Sequence, residues 1–116
     1  MMKKVLVVDD APVDSQNLQR IFGDAGWVVV TAASGTEAVA KAKAEVPDLI
    51  MMDVNMPGLD GFSATRQIMQ DPACKGIPVV FVTSKDQKAD RVFAQMLGAK
   101  GYVTKPYTPD QIMNTI

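Results

Sequence analysis

The stretch Val5-Leu6-Val7-Val8-Asp9-Asp10 sets four apolar residues in a row, without alternation, directly against two acids. A strand with one face in water alternates apolar and polar residues. An unbroken run is what a strand covered on both faces requires, and sheets covered on both faces are mostly parallel. The pattern recurs at Trp27-Val28-Val29-Val30, Leu49-Ile50-Met51-Met52 and Val79-Val80-Phe81-Val82, with a weaker fifth run at Tyr102-Val103-Thr104.

Between the runs the period becomes helical. Leu18, Ile21, Phe22 and Ala25 fall at i, i+3, i+4 and i+7, behind a Pro12 suited to a first turn, and Gly26 closes the helix. Ser34-Gly35-Thr36-Glu37 reads as a capping box that opens a helix to about Ala44. Asp60 caps a third helix carrying Phe62, Ile68 and Met69. Val92, Phe93, Met96 and Leu97 form a fourth stripe, stopped by Gly98, and Thr108-Pro109-Asp110-Gln111 is a second capping box ahead of Ile112, Met113 and Ile116. Five strand-helix units in series imply right-handed crossovers and an α/β, doubly wound five-stranded parallel sheet. We adopt the order 2-1-3-4-5, which is common in such sheets and is not dictated by the runs themselves.

The 116 residues are expected to form one domain, residues 1–116, with roughly two-thirds of the unfolded surface buried. Twelve basic against thirteen acidic residues leave a net charge of -1, which argues against direct binding of nucleic acid or of an anionic membrane. No apolar run is long enough to span a bilayer. The single cysteine, Cys74, has no internal partner and fits a reducing cytoplasm. Cys74 reads as an incidental loop residue, the eight methionines mostly as core filler, and Trp27 as a packing residue that begins strand two. There is no histidine, which excludes Ser-His-Asp and Cys-His catalysis and every metal site built on imidazole.

In a doubly wound sheet, ligands bind beyond the carboxyl ends of the strands. Strand one ends at Asp9-Asp10, strand three at Asp53 with Asn55 two residues on, strand four at Thr83-Ser84 and strand five at Lys105-Pro106. Three carboxylates in one crevice repel, so either their pKa values rise or a cation sits among them. Hard oxygen ligands favour Mg²⁺ or Mn²⁺ over zinc. Lys105 adds a point charge for an anionic oxygen, and Thr83 adds a hydroxyl. The set suits phosphoryl transfer, with Asp53 as the nucleophile that forms an acyl phosphate. Each signal is weak alone: an Asp after a strand is usually a loop or cap residue, Lys-Pro often only a turn, and Thr-Ser often only a cap.

Val7-Val8-Asp9-Asp10, Met52 through Gly61, Val82-Thr83-Ser84 and Gly101 through Pro106 together resemble the receiver domain of two-component response regulators, the CheY-like family, over essentially the whole chain. Gly61 to Arg66 and Thr83 to Gln87 look most like the single-domain, twitching-motility, PilH-like branch. The resemblance implies that Asp53 accepts a phosphoryl group from the phosphohistidine of a histidine kinase or phosphotransfer protein. It implies that Asp10 and Asp53 ligate Mg²⁺ directly, Asp9 mainly through water and Asn55 through its backbone carbonyl. Lys105 and Thr83 would bind the phosphoryl group, and Tyr102 would be an aromatic switch that turns inward as Thr83 moves. The Lys105-Pro106 bond would be cis. A face of the fourth helix, fifth strand and fifth helix, with Lys88, Arg91, Gln95 and Tyr102, would meet a downstream protein. Asn55 and Lys85 would flank the path of the water that resets the domain by autodephosphorylation.

The last helix, from Pro109 to Ile116, is shorter than is typical of the family, which suggests a trimmed chain or a continuation into a tail or output domain. Two other functions compete. A small aspartate-nucleophile phosphohydrolase would carry Asp-x-Asp after strand one, where this chain has Asp9-Asp10. A flavodoxin-like cofactor module would need a Ser-, Thr- and Gly-rich loop there, and the acids of Asp9-Asp10-Ala11-Pro12 would repel a phosphate.

Overall fold

The computed structural model describes residues 2–116. Its elements alternate as β1 (Lys4–Val8), α1 (Pro12–Asp24), β2 (Val28–Ala32), α2 (Gly35–Glu45), β3 (Leu49–Met52), α3 (Gly61–Gln70), β4 (Val79–Thr83), α4 (Lys88–Met96), β5 (Gly101–Thr104) and α5 (Pro109–Met113). All strand pairs are parallel, and the sheet order is β2-β1-β3-β4-β5, as expected. Every residue of the inner strands β3 and β4 is buried, whereas edge strand β2 is largely half-exposed. The unbroken apolar runs of β1, β3 and β4 therefore mark strands covered by helices on both faces, whereas the run of β2 lies at a sheet edge.

Side chains alternate across each strand, so the sheet divides the core by sequence parity. Leu6, Val8, Ile50, Met52 and Phe81 pack with Ala38 and Ala42 of α2, Ala64 and Ile68 of α3 and Ala94 of α4. Val5, Val7, Leu49, Met51, Val80 and Val82 face the other way, against Leu18 and Phe22 of α1 and Ile112 of α5.

The helix ends follow from local chemistry. Pro12 opens α1 where no amide donor is needed, and Gly26 closes it at φ 88°, a left-handed geometry that costs glycine little. Ser34 Oγ accepts the Glu37 amide at 3.1 Å, but Glu37 reaches one residue further back than a standard capping box and accepts the Ala33 amide at 2.7 Å. Asp60 Oδ1 accepts the Ser63 amide at 2.8 Å, and Thr108 and Gln111 form the full reciprocal box of α5. α2 ends on Val46 at φ 40°, a strained position for a β-branched residue.

Several expectations need correction. β2 starts at Val28, so Trp27 precedes the strand; it packs edge-on against Phe22 with ring centroids 5.3 Å apart. α5 stops at Met113, leaving Ile116 exposed. The methionines divide: Met51, Met52 and Met56 are buried and Met69 packs at the core margin, Met113 is half-buried, Met2 and Met96 are exposed, and Met1 lies outside the described residues. The α4 stripe also divides, with Leu97 against the core, Phe93 stacked on Phe62, and Val92 and Met96 outward. Cys74 is no incidental loop residue. It is fully buried, its thiol contacts the Ala42 carbonyl at 3.5 Å, and burial pushes its pKa up, away from thiolate reactivity. Among the described residues, no helix is long and apolar enough to cross a membrane.

Candidate functional site

The carboxyl ends of β1, β3, β4 and β5 open on one edge. The register aligns Val8 with Met52, so Asp9 and Asp53 leave the sheet side by side, and the Asp53 amide donates to the Val8 carbonyl at 3.0 Å. Both carboxylates are turned by their own loops: Asp9 Oδ1 accepts the Ala11 amide at 2.9 Å, and Asp53 Oδ1 accepts the Asn55 amide at 3.3 Å. Asp10 is exposed, yet one carboxylate oxygen from each of Asp9, Asp10 and Asp53 lies within 4.8 Å of the others.

The α3 N-terminus supports this edge from behind. Gly61 is buried against the Asp53 backbone, and its amide donates to the Val54 carbonyl at 3.0 Å. A side chain at this position would collide with the peptide that carries Asp53.

Lys105 ties the ends together. Its amide donates to the Thr83 carbonyl at 2.9 Å, and its Nζ reaches Asp9 Oδ2 at 2.8 Å, Asp14 Oδ2 at 3.0 Å and Asp53 Oδ2 at 3.6 Å. The Lys105-Pro106 peptide is cis. Thr83 is fully buried, and its hydroxyl accepts the Lys85 amide at 3.2 Å. Tyr102 donates its hydroxyl to the Lys85 carbonyl at 2.8 Å, with its ring beneath the Arg91 guanidinium at 4.9 Å. Thr83 and Tyr102 thus hold the same β4–α4 loop from two sides.

The charges are uneven: three carboxylates lie within 4 Å of one ammonium, and Asp10 adds a fourth beside them. Burial and the repulsion of Asp9 raise the Asp53 pKa, against the opposing pull of Lys105 and of the Asn55 and Val54 amides. For Lys105, burial alone would favour loss of the proton. The hydrogen bonds to Asp9 and Asp14, with the charges of Asp53 and Asp9, outweigh it and hold the ammonium well above its usual pKa. Three clustered carboxylate oxygens, joined by no imidazole or thiolate among the described residues, fit a hard divalent cation such as Mg²⁺.

The sequence reading identified Asp9, Asp10, Asp53, Asn55, Thr83, Tyr102 and Lys105, and the fold brings them to this one edge. It missed Asp14. The available signal was a carboxylate in the first turn of the helix that opens on the crevice, a position favoured by the helix dipole. Asn55 and Lys85 both line a hollow of about 550 Å³ beside the crevice, together with Asp60 and Phe93. Arg91 and Tyr102 line a groove with Gln111 of α5 and Asn114 just beyond its end, whereas Lys88, expected on that face, lines a different groove toward α3.

Residues 5–116 match the family model of the response regulator receiver domain. The chain is 42% identical over 115 residues to the protein PilH of Pseudomonas aeruginosa, an alignment covering 99% of this chain and 95% of that protein. Among solved structures, the chemotaxis protein CheY4 of Vibrio cholerae superposes with a TM-score of 0.93 at 35% identity, covering 99% of this chain and 96% of that one. The receiver domain of the sensor histidine kinase PA1611 of Pseudomonas aeruginosa, solved with a magnesium ion coordinated in its active-site cleft, gives 0.89 at 29% identity, covering 98% and 93%.

Proposed function

The chain belongs to the response regulator receiver family, and on that premise we propose that Asp53 is its phosphoryl acceptor, with a histidine kinase or phosphotransfer protein as donor. The family's role is signalling through phosphorylation, with histidine kinases upstream and target proteins downstream, and not metabolic catalysis. The observation that carries the residue assignment is the convergence of Asp9, Asp10, Asp53 and Lys105 from three strand ends, with Lys105 Nζ 3.6 Å from Asp53.

An Asp53 carboxylate oxygen attacks the phosphorus of the donor phosphohistidine. A P–O bond forms, the P–N bond breaks, and the imidazole leaves with the bonding pair and takes up a proton. Lys105, whose Nζ lies 3.6 Å from Asp53, and the Thr83 hydroxyl would bind the transferred oxygens. Asp9, Asp10, Asp53 and the Asn55 carbonyl would hold Mg²⁺, which supplies charge neutralisation when bound. Water attack on the acyl phosphate then releases inorganic phosphate and restores the carboxylate, with Asn55 and Lys85 beside its path.

Engaging Thr83 removes the acceptor of the Lys85 amide and moves the loop that Tyr102 grips. The populations of two loop arrangements shift, and the Arg91–Tyr102 groove of α4, β5 and α5 changes shape for a target protein. The cytoplasm is the expected compartment. Phosphohydrolase chemistry is not favoured, since the whole-length similarity is to receivers.

The test is intact-mass measurement after incubation with acetyl phosphate and Mg²⁺. The parent should gain one phosphoryl group; Asp53→Asn, and the parent in EDTA, should gain none. A folded, Mg²⁺-supplied parent that stays unmodified overturns the assignment.

A further inference from the structure

On the side of α4 away from β5 lies a second groove, between α3 and α4. Lys88, Val92 and Met96 follow one another at i, i+4 and i+8 along one face of α4, opposite Arg66 of α3. Met96 is 80% exposed and Val92 45%. The groove between the helices encloses about 670 Å³, and its Phe93 is backed by the core: it stacks on Phe62 at 4.9 Å, and Phe62 meets Phe81 of the sheet edge-on at 5.0 Å.

The groove carries an unanswered charge. Lys85 and Arg91 of the same region pair with Asp90 and Asp86. Arg66 and Lys88 make no ion pair among the described residues, and the Arg66 guanidinium is steadied 5.8 Å from the Phe93 ring centroid. An apolar strip flanked by two free cations matches an apolar ligand strip flanked by carboxylates. Lys88 to Met96 spans about 12 Å, two turns of a docked helix. A second copy of this chain is a poor occupant, because its own Val92–Met96 stripe carries the same two cations and its other exposed large apolar residues, Met2, Val13, Val28, Val46 and Ile116, belong to separate segments. Two cations on a chain of net charge -1 fall well short of the clusters of about four or more that draw proteins to anionic lipid.

We infer that the α3–α4 groove docks an amphipathic helix of a partner protein, with apolar residues at i and i+4 seated on Val92 and Met96 and acidic residues facing Arg66 and Lys88. The site is separate from the Arg91–Tyr102 groove. Docking needs no phosphoryl group on Asp53, so its failure and a failure of Asp53 as acceptor are distinguishable.

The test uses a fluorescein-labelled, alanine-based peptide of about 18 residues, long enough to be helical by itself. It carries a leucine stripe flanked by glutamates, and a control peptide has lysine at each glutamate. Anisotropy titrations should show the glutamate peptide binding at least about tenfold more tightly than the control. Met96→Asp should abolish that binding, and the Arg66→Glu, Lys88→Glu double variant should reverse the preference. All three positions are exposed, and matching thermal melts show that the variants stay folded. Amide shifts in NMR titration should centre on α3 and α4. Equal affinity for the two peptides, or shifts centred elsewhere, overturns the inference. So do concentration-dependent shifts at the groove without peptide, which assign it to self-association, or Met96-dependent binding to phosphatidylserine vesicles, which assigns it to a membrane.

Discussion

Gly61→Ala adds one methyl group at the most constrained point of the crevice. The new Cβ would lie 2.8 Å from the Asp53 carbonyl carbon and 2.9 Å from Val54 Cα, where real Cβ atoms keep at least 3.0 Å, and it would come closer still to the Asp53 carbonyl oxygen. None of these atoms belongs to a flexible side chain, so β3 and the α3 N-terminus must part by about 1 Å, and a displacement of that size at a reacting group costs about 100-fold in rate. Overpacking a rigid site typically costs about 1–3 kcal/mol, and a backbone-on-backbone clash belongs at or beyond the upper end. At about 4 °C per kcal/mol for a domain of this size, the melting temperature should fall by roughly 12 °C or more. Gly23→Ala is the control. Nothing lies within 4 Å of its Cβ position inside α1, so it should stabilise by about 0.5–1 kcal/mol. Urea denaturation and the rate of mass gain from acetyl phosphate measure both effects. A Gly61→Ala protein with parental midpoint and rate would refute the view that this contact sets the position of Asp53.

Other outcomes follow from the same structure. The folded state binds a proton at Asp53 more tightly than the unfolded chain does, so this group's contribution to stability falls as pH rises through and above the ordinary carboxylate range. In EDTA, Asp53→Asn should therefore melt above the parent at pH 7, with the gap closing toward pH 3; a constant gap would contradict the desolvation account. Saturating Mg²⁺ at about 100 times its Kd should raise the parent's stability by about 2.7 kcal/mol and leave Asp53→Asn far less affected, as read by thermal shift. Val46→Gly relieves a β-branched residue at φ 40° and should gain about 1 kcal/mol in urea denaturation, whereas a loss would mean that the Val46 side chain is needed. Tyr102→Phe removes the hydroxyl bond to the Lys85 carbonyl, costs about 1 kcal/mol, and should speed amide hydrogen exchange in the β4–α4 loop; an unchanged exchange profile would show that the bond does not restrain it.

What could be read from the sequence was what depends on position along the strands. β1, β3 and β4 announce themselves because both faces are covered, and Asp9, Asp53 and Lys105 do so because they follow strand ends. The errors arose where tertiary packing decides. Trp27 looked like strand because an apolar run at a sheet edge does not show where pairing begins. The Val92–Met96 side of α4 has the spacing of a core stripe, and only the placement of α3 leaves it uncovered. Asp14 joins Lys105 because the α1 axis aims its first turn at the crevice, a direction no local pattern encodes. Cys74 is buried because its loop folds back onto α2.

The division of the core by parity has a consequence for how this protein can change. Leu6 and Val7 are neighbours in the chain, yet a volume change at one is absorbed by α2, α3 and α4, and a change at the other by α1 and α5. Substitutions on opposite faces share few partners, so their effects should add, while those within a face should couple. Each layer can then drift without waiting for compensation in the other. The α3–α4 surface can be remodelled for new partners while the α1–α5 layer stays as it was.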